Sequence, residues 1–136
     1  MDDDNLIAKG LNNITKNSVV FYDKKTECAV MQITNSTYDD MLSALCDTVV
    51  IEKQRKEIKE TLSRDSLMQM YEEGITDGVI EYRRKQPDGK AIWASLKYLI
   101  SDEPITHDVI VFLYSYDSTE QIQESQIVNR LSYFLY

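Results

Sequence analysis

The chain has 136 residues, of which 43% are apolar, and 23 acidic against 15 basic side chains give a formal net charge of −8. That length and composition predict one globular domain with a real core. The negative surface suits neither nucleic acid nor an anionic membrane, no run approaches 18 apolar residues, and Asp2-Asp3-Asp4 is no secretion signal, so a soluble, cytoplasmic domain is expected.

In chain order, residues 4–14 (DNLIAKGLNNI) place Leu6, Ile7, Leu11 and Ile14 at helical spacing behind acidic residues, which predicts a short helix weakened by Gly10. Residues 18–23 (SVVFYD) and 28–33 (CAVMQI) are dense in β-branched and aromatic residues and read as two strands joined by a turn at Lys24-Lys25-Thr26. From Ser36 to Gly74 the period is helical. Tyr38, Met41, Leu42 and Leu45 follow a cap at Ser36 or Thr37. The run EKQRKEIKETLS (residues 52–63) has the alternating charge of a solvated helix face, and Ser63 or Asp65 opens a last helix that stops at Gly74.

Residues 79–84, 91–100 and 109–116 are three further strands. Gln86-Pro87-Asp88-Gly89 turns the first into the second, and DEPITHD (residues 102–108) joins the second to the third. In the middle strand Ile92, Ala94, Leu96, Tyr98 and Ile100 share one face. The third strand is apolar on both faces, so both need cover; the helices between 36 and 74 supply one, and the N-terminal helix or a second protomer the other. Residues 117–136 begin with Asp117, Ser118 or Thr119 as a helix cap, and their apolar end predicts continuation into a further domain after Tyr136.

Catalytic chemistry is poorly provided for. The single histidine, His107, falls in a loop, and neither Cys28 nor Cys46 sits in a zinc-type spacing; two free buried thiols are expected. Four glycines make no phosphate-binding motif. The bases Arg83, Arg84 and Lys85 cannot form one patch, because alternation puts Arg83 and Lys85 on one face and Arg84 on the other; they read as an exposed strand end whose charges discourage edge pairing. Nine tyrosines are the unusual count, and Tyr22, Tyr82, Tyr98, Tyr114 and Tyr116 fall in the sheet. They fill a half-buried sheet, or they offer hydroxyls to a small ligand between sheet and helices.

The segment EYRRKQPDGKAIWASLKYLI…DVIVFLYSYDSTEQ resembles the second half of a bacterial PAS domain. The matching positions are Glu81-Tyr82-Arg83, the turn at Asp88-Gly89, Trp93, and Asp117-Ser118-Thr119-Glu120; TLSRDSLMQMYEEG (residues 61–74) is similar to the helix before that strand in the subgroup attached to diguanylate cyclases. The resemblance implies an α+β fold, a five-stranded antiparallel sheet of order 2-1-5-4-3 with helices on one face. It divides the chain into an N-terminal capping helix (1–16), a PAS core (17–117) and a C-terminal signalling helix (118–136). It implies a non-catalytic sensory module that binds a small molecule or relays state as a homodimer, in a diguanylate cyclase or next a histidine kinase. Asp117 and Thr119 match the hinge that couples the last strand to the exit helix. The flavin-binding signature is absent and His107 is misplaced for haem, so both cofactors are disfavoured. Val49-Val50-Ile51-Glu52 stands where many relatives carry His-Pro-Asp-Asp. A plain interaction module, its interior filled by side chains such as Met31, Met41, Met68 and Met70, is the alternative.

Overall fold

A computed structural model describes residues 5–24 and 36–125. Its elements, in chain order, are β1 (Leu6–Asn13), β2 (Ser18–Lys24), α1 (Tyr38–Asp47), α2 (Glu52–Thr61), α3 (Arg64–Glu72), β3 (Asp77–Lys85), β4 (Ala91–Asp102) and β5 (Val109–Asp117). The strands form one antiparallel sheet in the order β2-β1-β5-β4-β3, the α+β arrangement expected from the resemblance.

The first two strands are not the ones the sequence points to. Residues 4–14 are expected to be helical, yet Leu6–Asn13 is strand β1, paired on both sides, with β2 and with β5. The apolar positions of LIAKGLNN fit a helical stripe, but Gly10, Asn12 and Asn13 are weak helix formers. Ladders on both sides, each with one register shift, satisfy most of the backbone, so tertiary pairing overrides a local pattern of this length. The segment 18–23 is a strand as expected, and serves as the second strand; the strand expected over 28–33 lies outside the described residues. Gly10 has a packing reason, since a Cβ there would stand 3.2 Å from the Phe21 carbonyl oxygen on β2.

Helices α1, α2 and α3 form a layer over one face, contacting β2, β3 and β4 respectively. Thr37 caps α1 by accepting the Asp40 N–H, and Ser63 caps α3 by accepting the Ser66 N–H, as their positions in the sequence predict. The charged helix α2 buries only Ile58, at the junction where Leu62 and Leu67 are also fully buried. Tyr38 is fully buried there and donates its hydroxyl to the Leu62 carbonyl at 2.6 Å, tying the start of α1 to the end of α2. Arg64 at the head of α3 donates to the Ile14 and Thr15 carbonyls, fastening the helical layer to the β1–β2 turn.

The sheet has two distinct faces. Ile80 and Tyr82, Ala94 to Ile100 at every second residue, and Val109, Val111 and Leu113 are buried beneath the helices. On the opposite face Phe112, Tyr114 and Tyr116 stack along β5 with centroid spacings of 6.2 and 6.3 Å. Arg83 lies over the Trp93 ring there, 5.4 Å from its centroid. Phe21 and Val79 are exposed. One face of β5 thus lies under the helices as expected, while the N-terminal helix expected to cover the other is instead strand β1, within the sheet.

Candidate functional site

Between the sheet and α1 lies a cavity of about 150 Å³. Alternation along the strands builds its floor. Ala8, Gly10 and Asn12 come from β1, Leu113 and Ser115 from β5, and the short side chains at the first two leave room that larger residues would fill. Met41, Ala44 and Leu45, one turn apart on α1, form the apolar roof, and Thr48 follows the helix end. Tyr22 and Arg84 close the two sides from β2 and β3.

Arg84 brings a buried charge into the cavity wall, whose lining also includes Lys9. The sequence places it on the face opposite Arg83 and Lys85, and that alternation holds, but the expectation of an exposed strand end fails for this residue. Arg84 is 4% exposed, while Arg83 and Lys85 face outward. The segment after α1 covers it: Val49 bridges Arg84, Val50 donates to the Arg83 carbonyl, and Lys85 donates to the Thr48 carbonyl. Its Nη1 donates to the hydroxyl of Tyr82 at 3.0 Å, whereas its Nε has no partner. Among the described residues the ion pairs are Lys16 with Asp108 and His107 with Asp102, so no carboxylate there offsets the Arg84 charge. Asn12, 1% exposed, leaves its Oδ1 unpartnered in the same cavity. A buried polar group without a partner is costly, and two of them, Arg84 Nε and Asn12 Oδ1, line this one cavity.

Of the five sheet tyrosines singled out in the sequence, one lines this cavity, Tyr22. Tyr82 supports Arg84 from beneath, and Tyr98 is buried, its hydroxyl pKa pushed up by desolvation and secondarily by Asp77. Tyr114 and Tyr116 belong to the outer aromatic row. Met41 lines the cavity, while Met68 and Met70 pack at the edge of the core and Met31 lies outside the described residues. Cys46 is a free buried thiol whose pKa is raised first by desolvation, and Cys28 lies outside the described residues. His107 is exposed, in a left-handed conformation at φ 61°, with Nδ1 3.6 Å from Asp102. Among the described residues no group of acidic, histidine or cysteine side chains could hold a metal ion. None of their helices is long and apolar enough to cross a membrane.

The joint after β5 has its own geometry. Asp117 ends β5, and its Oδ1 accepts the Thr119 N–H at 3.0 Å. Thr119 Oγ1 accepts the Trp93 N–H at 3.1 Å, and Ser118 N–H donates to the Trp93 carbonyl at 2.9 Å. The first helical bond, from the Ile122 N–H to the Ser118 carbonyl, follows at once, and residues 119–125 are helical; the rest of the expected helix lies outside the described residues. Thr119 and the Ser118 N–H thus tie the start of the exit helix to Trp93 on β4, while the Asp117 carboxylate caps it locally. Ser115, two residues before Asp117 on the same strand face, lines the cavity.

No family model and no curated protein matches the sequence. Solved structures do match in fold. The N-terminal domain of a diguanylate cyclase with a PAS/PAC sensor from Marinobacter aquaeolei superposes with a TM-score of 0.52 at 12% identity, over 84% of this chain and 96% of that one. The PAS domain of the fruit-fly ELK potassium channel gives 0.53 at 13% identity, over 83% of this chain and 87% of that one. An RNA-binding light-oxygen-voltage receptor gives 0.58 at 12% identity, over 94% of this chain but 33% of that one. Such identities establish a shared fold and leave the activity to the residues of this chain.

Proposed function

We propose that this chain, which has the fold of a PAS domain, is a non-catalytic sensory and regulatory module of a cytoplasmic signalling protein. It binds a small molecule in the cavity under α1 and passes its state through β5 to the exit helix. The observation that carries this reading is one of continuity: Ser115 lines the cavity, and two residues later Asp117 and Thr119 hold the helix start. Two residues of strand span only about 7 Å, so a shift of β5 at the cavity is delivered to the helix without an intervening loop. The output is a covalently linked domain after Tyr136. A diguanylate cyclase is the first choice, supported by the Marinobacter neighbour, and a histidine kinase the second. Flavin and haem have no place in this reading, which takes an unidentified small metabolite as the ligand.

Native mass spectrometry of the protein purified from its own host, against the same protein denatured, tests this. A retained small molecule is expected, together with a thermal shift for at least one metabolite of a broad panel; no retained molecule and no shift would overturn it. A second reading, a homodimerisation module without ligand, is favoured by the aromatic row of Phe112, Tyr114 and Tyr116 and by exposed Phe21 and Val79 on the outer face. Sedimentation distinguishes the two. A dimer that dissociates on Tyr114→Glu substitution supports a role for that face, and a monomer at high concentration counts against it.

A further inference from the structure

Arg84 sits in the cavity wall with 4% exposure, and its Nε is without any hydrogen-bond partner. A guanidinium keeps its charge at every physiological pH, so this site holds a buried cation with no offsetting carboxylate among the described residues. An isolated charge in an apolar interior is strongly disfavoured, and protein interiors retain one only where a partner offsets it. The single bond to the Tyr82 hydroxyl fixes the orientation of the group but supplies no negative charge. What remains unprovided for is an anion. We infer that the cavity takes a small carboxylate with an apolar body, its carboxyl group on Arg84. This rests on the reading of the cavity as a ligand site.

The details of the wall specify the ligand further. A planar carboxylate matches the guanidinium fork with two parallel hydrogen bonds, whereas a point charge would leave one donor unused. Met41, Leu45, Leu96 and Leu113 supply apolar surface in the same lining, so the body of the molecule is mainly apolar. The volume of about 150 Å³ suits a body about the size of benzene. Asn12, with its Oδ1 free, can accept one further hydrogen bond from a hydroxyl or amino substituent on that body.

The probes are benzoate and 3-methylbutanoate, each paired with its neutral amide, titrated at pH 7 into the full chain with calorimetric and thermal-shift readout. At least one carboxylate is expected to bind, about 10- to 100-fold more tightly than its amide, the range expected of a hydrogen-bonded charged group. In Arg84→Met that preference is expected to vanish, while the unliganded protein unfolds at the same or a higher temperature because an unoffset buried charge has gone. Arg84→Lys, which keeps the charge without the fork, gives the same comparison should Arg84→Met fail to fold, and is expected to weaken carboxylate binding without abolishing it. Equal affinity for acid and amide, carboxylate binding undiminished in Arg84→Met, or a neutral molecule retained in native mass spectrometry would each overturn the inference while leaving a sensing role intact. No retained molecule and no response to any probe would overturn both.

Discussion

At the scale of single residues, the largest consequences follow from groups packed where no alternative exists. Gly78 on β3 faces Tyr98 on β4, and a Cβ at that position would fall onto the phenol ring. Gly78→Ala must push a buried ring aside, and a loss of about 1–3 kcal/mol is expected in urea unfolding. Tyr38→Phe keeps the ring but leaves the Leu62 carbonyl without its donor in a fully buried site, which is expected to cost about 1–3 kcal/mol. The same burial, with Asp39 and Cys46 adding to it, holds the Tyr38 hydroxyl neutral to well above its ordinary range. Asp108 shows the opposite behaviour: the Asn13 side-chain amide, first, and then Lys16 hold its carboxyl below the usual carboxylate range. A depressed carboxylate contributes stability that is fully present above its unfolded pKa, near 4, and is lost as pH falls through the lower folded value. Chemical denaturation between pH 5 and about 2 should therefore show a shallower acid decline in Asn13→Ala than in the parent protein.

Elements differ in how far their sequence alone disclosed them, and the reason is physical. β3, the turn at Asp88-Gly89 and β4 are legible because Gly89 takes φ 87° and Asp88 accepts the Lys90 N–H, local chemistry that needs no partner. Helices α1 and α3 are legible by their caps at Thr37 and Ser63. β1 is not, because its identity depends on pairing with β5, which comes from the far end of the chain. Arg84 marks the same boundary within the site: period-two alternation gives its face, but its depth is set by Thr48, Val49 and Val50, whose placement beside β3 has no local signal. The Asp117 and Thr119 pair was legible as a helix cap, and its attachment to Trp93 was not, because it spans two strands. Thr119→Ala removes the acceptor for the Trp93 N–H; a loss of about 0.5–2 kcal/mol is expected. Hydrogen exchange should quicken at the Trp93 amide and across residues 119–125, with β1 unaffected.

For the molecule as a whole, a sheet with helices on one face leaves two edges, and unpaired strand edges invite pairing with other chains. The bases at the end of β3 looked, from the sequence, like the protection for one of them. The protection is instead built from backbone and a side chain: the Lys85 N–H is taken by the Thr48 carbonyl, the Arg83 carbonyl by the Val50 N–H, and the Arg83 N–H by Gln54 Oε1 at 2.8 Å. Thr48 also lines the cavity. The cover of the cavity and the guard of the sheet edge are therefore one piece of chain, and the two duties are joined. An occupant that steadies Thr48 should also slow exchange at the Lys85 amide, which donates to the Thr48 carbonyl. Conversely, Gln54→Ala, which touches no cavity atom, should loosen the flap from its far side and raise the tendency of the empty protein to add strands from its neighbours, seen as light scattering that ligand suppresses. On the proposed reading the empty protein is also the stickier one, and an occupied cavity guards the sheet edge against self-association.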